Sequence, residues 1–290
     1  MRIAYLGDLV GTPGRQALTQ QIPALRERFG CDRVIANVEN VANGSGLTAE
    51  QYKKLKAAGV DAMTLGDHAF RKQQIKATLT TVDDLIRPVN LPPQAWGKGS
   101  LVVPGGGRLP DVHVTILLGR IFMNSLQAAD PFAAADGFLA RVPGDAVAIV
   151  ELHAEATSEK VALGWHVNGR CAAALGSHTH VPTADARVLP MPGLDLSLPK
   201  FDGPADRVRP GTAYVTDLGM TGARDSVLGR RVDRVVHHMS TGLPAAFDVA
   251  EGRPEVHGVL IDVDETTCRA TAVERVCLAA DVGAPPFAAG

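Results

Sequence analysis

A series of metal-capable side chains closes one apolar run after another: Asp8, Glu39, Asp67 with His68, His153, then His178 and His180. Carboxylates mixed with imidazoles suit Mn, Fe or Zn better than Mg or Ca, which favour oxygen shells. The set is too large for one tetrahedral zinc. It fits two ions sharing a bridging carboxylate, with positions open for water and substrate. Taken singly, the motifs have plainer readings. Gly7-Asp8 and Gly66-Asp67-His68 read as turns, and a lone histidine packs locally or faces water. Gly176-Ser177-His178-Thr179-His180 says more. In an extended segment, residues two apart point to one side, so both imidazoles are expected to face one site. The ordered recurrence of the whole set favours the metal reading.

The elements that position these residues alternate between strand and helix. Strands are predicted over Arg2–Leu6, Arg33–Val38 and Asp61–Leu65. A helix from Arg15 to Arg28 follows the first, with a kink or break at Pro23. Thr48 and Gln51 read as a capping box for the next helix. Further strands are predicted over Val112–Leu118, Asp145–Leu152, Cys171–Leu175 and Ala213–Thr216, with helices over Pro131–Arg141 and Ser158–Gly164. The pair Val256–Asp262 and Ala270–Val276 reads as antiparallel. Pro92–Gly107 and Leu189–Pro210 read as loops. The alternation implies an α/β fold in one domain, and α/β sheets bind ligands beyond the carboxyl ends of their strands.

Composition narrows the function. The 290 residues carry 29 Lys+Arg against 31 Asp+Glu, a formal charge of −2, which argues against a binder of long nucleic acid. Apolar residues make up 46%, enough for a substantial core and too many for a disordered chain. No apolar run reaches the length of a membrane span, and the N-terminal stretch does not read as a signal peptide. Cys31, Cys171, Cys268 and Cys277 are widely spaced, so reduced thiols and a cytoplasmic location are expected.

The series Gly7-Asp8, Glu39-Asn40, Gly66-Asp67-His68, His153 and Gly176-Ser177-His178-Thr179-His180 resembles the calcineurin-like metallophosphoesterases. Within them it is similar to the YmdB-type branch of bacterial cyclic-nucleotide phosphodiesterases. The strings GDLVGTPGR, ENVANGSGLT, RPVNLP, LHAEATSEKVALGWHVNGR, GSHTHVPTADARVLP and AYVTDLGMTGARDSVLG extend the resemblance over nearly the whole chain.

The resemblance implies a single metallophosphoesterase domain over residues 1–290, a four-layered αββα sandwich with a dinuclear site at one edge. It implies that Asp8, Glu39, Asn40 and His180 hold a first metal, with Glu39 bridging. Asp67, His153 and His178 complete a second, and His68 faces the substrate as proton donor or phosphate-contacting group. It implies two transition-metal ions, Fe or Mn before Zn, and hydrolysis of small cyclic nucleotides, 2',3'-cyclic ones foremost, by a metal-bridging hydroxide. A homo-oligomer is implied as well. The family ordinarily has Asn at position 67, so Asp67 adds a negative charge that bears on metal preference and phosphate attraction.

Two other functions compete. One is a regulatory protein that binds metal or nucleotide, with hydrolysis incidental. The other is a phosphomonoesterase or nuclease acting on short substrates. His113, His166, His237, His238 and His257 fall outside the motif set and read as surface or packing residues. Asn43, Gly44 and Gly46 read as a turn or a pocket wall, and Glu155, Thr157 and Glu159 as partners of His153 or as caps. Gly11 and Gly14 read as a tight turn, since GTPG lacks the Lys-Ser/Thr of a P-loop.

Overall fold

The computed structural model describes residues 1–190 and 211–281. Its strands are β1 (Arg2–Leu6), β2 (Asp8–Leu9), β3 (Arg33–Asn37), β4 (Ala62–Thr64), β5 (Leu85–Ile86), β6 (Ser100–Val103) and β7 (Val112–Leu118). There follow β8 (Val147–His153), β9 (Ala173–Ser177), β10 (Arg187–Leu189), β11 (Thr212–Val215), β12 (Met220–Ala223), β13 (Pro254–Asp264) and β14 (Arg269–Ala279). The helices are α1 (Gly11–Pro23), α2 (Ala49–Ala58), α3 (Ile75–Thr81), α4 (Pro131–Leu139), α5 (Thr157–Val167) and α6 (Val232–Thr241).

The strands form two sheets. One runs β2-β12-β13-β1-β3-β4-β5, with β14 paired to β13; the other runs β10-β11-β9-β8-β7-β6. β1, β3, β4 and β5 are mutually parallel, as are β7, β8, β9 and β11. Strand alternation then sorts the core into layers. On β1, Ile3 and Tyr5 face the second sheet, while Ala4 and Leu6 face α1. On β8, Val147 and Ile149 face the first sheet, and Ala148, Val150 and Leu152 pack with Phe138 of α4 and Leu163 of α5. The result is the four-layered αββα sandwich, both sheets buried on two faces.

The predicted capping box is present: Thr48 Oγ1 accepts from Gln51 N–H, and Gln51 Oε1 accepts from Thr48 N–H. At Pro23 the α-helix gives way to a π turn over Ala24–Arg28, as expected of a residue with no N–H. The first helix begins at Gly11 instead of Arg15. Pro13 in its first turn has no hydrogen bond to lose, so the GTPG string opens the helix. The predicted loop Pro92–Gly107 contains β6, an edge strand antiparallel to β7. Its short SLVV run lacks a clean alternation, because Val102 is exposed. Leu189 closes β10, and residues 191–210 of the expected loop lie outside the described residues. No helix among the described residues is long and apolar enough to cross a membrane.

Candidate metal centre

Parallel strands from both sheets end at one edge, and the chemistry gathers there. β3 runs into Glu39 and Asn40, β4 leads to Asp67 and His68, β8 ends on His153, and β9 leads to His178 and His180. β1 passes through Gly7 into β2, which starts with Asp8. The glycine before Asp67 is dictated by space: a Cβ on Gly66 would collide with the His153 ring. Gly176 is likewise fixed, since its Cβ would run into the Thr216 carbonyl oxygen.

His153 sits at the middle. Its Nε2 lies 3.1 Å from Glu39 Oε1, 3.2 Å from Asp67 Oδ1 and 3.1 Å from His178 Nδ1. Glu39, Asp67, His153 and His178 thus offer donor atoms all within 4.8 Å of one another. The adjoining end of the cluster holds Asp8, Asn40 and His180. His180 Nε2 lies 3.2 Å from Asn40 Nδ2 and 3.8 Å from Asp8 Oδ1.

Each of these imidazoles is braced through its outer nitrogen. Ser177 Oγ donates to Glu151 at 2.6 Å, so at 2.9 Å it accepts from His153 Nδ1–H. His178 Nε2 lies 3.2 Å from Glu155, and His180 Nδ1 3.1 Å from the Leu228 carbonyl. The inner nitrogens face the carboxylates and would give their lone pairs to an ion once it displaces any proton there, the arrangement by which proteins fix metal-binding histidines.

His178 and His180 are not in an extended segment. Their φ angles are +93° and +64°, left-handed values that non-glycine residues avoid. Asp217 imposes the conformation: its Oδ2 accepts from the Thr179 N–H and hydroxyl, and Lys160 pairs with it at 2.7 Å. The two rings therefore go to opposite ends of the cluster instead of sharing one side.

His68 stands beside the cluster, partly exposed. Its N–H donates to Glu39 Oε2 at 2.9 Å, and its Nδ1 lies 2.6 Å from Asn40 Oδ1. Asn40 Nδ2 donates to Glu39, so Asn40 Oδ1 accepts from His68 Nδ1–H, and His68 Nε2 lies 3.7 Å from Asp67 Oδ2.

The charges are heavily coupled. Burial pushes the Asp8 carboxyl up to about 7; the His153 ring opposes this and the Glu39 charge adds to it. Burial also disfavours charge on Glu39 and Asp67, yet His153 beside both holds each below the ordinary carboxylate range. Burial works against an imidazolium at His153, but Glu39, Asp67 and Asp8 hold its pKa well above the ordinary value. Burial lowers that of His180. Without a cation, a proton on His153 must offset the carboxylates. Asp8 Oδ1 is buried with no hydrogen-bond partner among the described residues, which is an acceptor awaiting one. The donor set and this orphaned oxygen fit transition-metal ions.

Beneath this cluster lies a polar layer that the sequence motifs do not announce. Glu151 is fully buried on the inner face of β8, two residues before His153. Its oxygens accept from Tyr5 Oη at 2.6 Å, Asn37 Nδ2 at 2.8 Å, Thr64 Oγ1 at 2.7 Å and Ser177 Oγ at 2.6 Å. Those donors come from β1, β3, β4 and β9, so one carboxylate joins the sheets directly under the site. Ser125 Oγ, from a loop, donates to Asp67 Oδ2 at 3.0 Å. Glu155 braces His178 as described, whereas Glu159 accepts from the Arg120 and Ile121 N–H groups, and Asn43 and Gly44 form a turn held by Arg230.

A sandwich of two sheets between helices, with carboxylates and braced imidazoles at the strand ends, defines a calcineurin-like metallophosphoesterase. A family profile described as YmdB-like protein matches residues 4–276, and the chain belongs to that family. It is 40% identical over 279 residues to the 2',3'-cyclic-nucleotide 2'-phosphodiesterase of Bacillus subtilis strain 168, covering 96% of this chain and 97% of that protein. Among solved structures, a hypothetical protein from Thermus thermophilus superposes with a TM-score of 0.83 at 36% identity, covering 96% and 99% of the two chains. A novel phosphatase from Mycoplasma pneumoniae gives a TM-score of 0.84 at 30% identity, covering 96% and 93%.

Proposed function

We propose that this chain is a dinuclear metal-dependent phosphodiesterase that opens 2',3'-cyclic nucleotides to monoesters, working as one metallophosphoesterase domain over residues 1–290. One observation carries the reading: three imidazoles, each braced at its outer nitrogen, turn their inner nitrogens toward buried carboxylates. The similarity to a cyclic-nucleotide phosphodiesterase over nearly its full length supports the substrate class.

Asp8, Glu39, Asn40 and His180 would hold one ion, and Asp67, His153 and His178 the other, with Glu39 shared. Fe or Mn suits this mixture of oxygen and nitrogen, with Zn as the alternative. Two such cations supply Lewis acidity toward phosphoryl oxygens and acidify water. The chain's own residues do the rest. Asn40 Oδ1 has a second lone pair for an ion while it holds His68 Nδ1–H in place. That hydrogen bond leaves His68 Nε2 as the nitrogen free to carry a proton, 3.7 Å from Asp67 Oδ2, from where it would deliver one to the departing ribose oxygen. Glu39 Oε2 fixes the His68 backbone, so the proton donor moves with the bridging carboxylate. Addition of water to phosphorus and loss of one ribose oxygen leave a phosphomonoester.

A cytoplasmic setting follows from the same reading, as does self-association, for which the exposed apolar residues Val236 and Met239 of α6 are suited. The test is a substrate panel with each metal loaded. Metal-dependent conversion of 2',3'-cyclic nucleotides to monoesters is expected. A nucleotide bound but never turned over identifies a regulator, and inorganic phosphate as the first product identifies a phosphomonoesterase; either outcome overturns the proposal.

A further inference from the structure

Outside the catalytic edge, one other cluster among the described residues brings ligand atoms together. Glu255 and His257 lie two apart on β13 and so share a face, and Cys277 of β14 is paired directly opposite His257. We propose that Glu255, His257 and Cys277 form a separate site for a single borderline-soft divalent cation, Zn(II).

The geometry is that of three corners of a tetrahedron. His257 Nε2 lies 3.2 Å from Glu255 Oε2, and Cys277 Sγ lies 3.7 Å from each of them. Zinc bonds of about 2.0–2.1 Å to nitrogen or oxygen and about 2.3 Å to sulfur imply tetrahedral donor separations of about 3.3 Å and about 3.5 Å. The three observed separations match without rearrangement of the strands.

The partners are also chemically suited. Thiolate, imidazole and carboxylate together select zinc over the hard cations. Arg224 pairs with Glu255 Oε1 at 3.0 Å, which leaves Oε2 toward the other two donors. Cys277 is exposed, so its thiol proton passes to solvent as the sulfur–metal bond forms.

The site differs from the catalytic one in a useful way. His257 Nδ1 has no hydrogen-bond partner among the described residues, so this ring is not braced as His153, His178 and His180 are. Its ion is expected to be the first lost to a chelator. When bound, it ties β14 to the end of β13, where the His257 carbonyl accepts from the Gly7 N–H beside Asp8.

The experiment is a Co(II) titration of the chelator-stripped full-length protein. The catalytic pocket offers only nitrogen and oxygen donors, so a thiolate-to-Co(II) charge-transfer band in the near ultraviolet reports this cluster alone. The expected band saturates at one equivalent above the catalytic ions and is abolished by Zn(II). It is absent in Cys277→Ser, and His257→Ala weakens the binding at least about tenfold. Both variants keep the d–d spectrum of Co(II) in the catalytic pocket, which shows them folded and separates this site from that one. No charge-transfer band at any Co(II) concentration, or a band that survives Cys277→Ser, overturns the proposal.

Discussion

At the ring of His153 a hydroxyl, two carboxylates and a second imidazole meet, and the roles of neighbouring residues follow from which atoms they present. With His68 proposed to move a proton and coordinate nothing, His68→Ala is expected to retain metal and lose turnover about 10²–10⁴-fold. Glu39→Ala is expected to lose metal, because one carboxylate serves both ends of the cluster. Metal content and rate measured on both variants check the assignment, and an emptied site in His68→Ala would reverse it. Glu151→Gln replaces a charged acceptor of four hydrogen bonds with a neutral group carrying two donors. It is expected to reduce stability by about 1–3 kcal/mol and metal affinity about 10–100-fold, by loosening Ser177 and so His153. Denaturant unfolding and metal titration measure the two effects. That Asp8, Glu39, Asp67, His153, His178 and His180 gather at one edge was legible in the sequence because each closes an apolar run at a turn. Glu151 was not, although it stands two residues before His153: with no turn beside it, it reads as an ordinary break in a buried strand. Ser125 reaches Asp67 from a loop with no periodicity to place it.

The elements that hold the site were legible in proportion to their burial on both faces. β7 is apolar throughout most of its length and its sequence boundaries match the structure, whereas β2 and β5 have two residues each and take their form from neighbouring strands. The His178-Thr179-His180 segment shows where local pattern fails. An extended reading is natural for a polar run after β9, but the Lys160–Asp217 pair from α5 and the end of β11 holds Thr179 and turns both histidines left-handed. Lys160→Met leaves Asp217 buried and without its cation. It is expected to destabilise the protein by about 3–5 kcal/mol and to lower metal affinity by releasing that turn. Thermal or denaturant unfolding of the metal-free protein isolates the first effect, and a loss below about 1 kcal/mol would show that the pair does not support the turn.

Across the whole molecule, two sheets meet at an edge whose charges balance only with a proton or a cation. The signs decide how pH acts on the metal-free chain. Asp8 and His153 have raised folded pKa values, so their contributions favour the acid side. That of Asp8 declines as pH rises from the ordinary carboxylate range to about 7, and that of His153 is lost as pH rises through its own elevated value. Glu39 and Asp67 have lowered values, so their contributions are present above the ordinary carboxylate range and are lost as pH falls through the folded ones. A cation must displace the protons on His153 and Asp8, and its affinity rises with pH. The increase in melting temperature produced by a fixed Mn(II) concentration is therefore expected to be larger near about pH 8 than near about pH 6; equal shifts would show that no proton is displaced. Strand–helix alternation made the α/β class legible, whereas the four layers were legible only through the resemblance of the motifs to a known family. The pairing of β12 and β14 with β13 was only half legible, since β12 is a short strand lacking an apolar run. The central claim is that this edge holds two ions, and anomalous scattering from crystals of the metal-loaded protein tests it most directly. Two adjacent peaks about 3.5–4 Å apart are predicted, one among Asp8, Glu39, Asn40 and His180 and one among Glu39, Asp67, His153 and His178. A single peak in this pocket, or none, would contradict it.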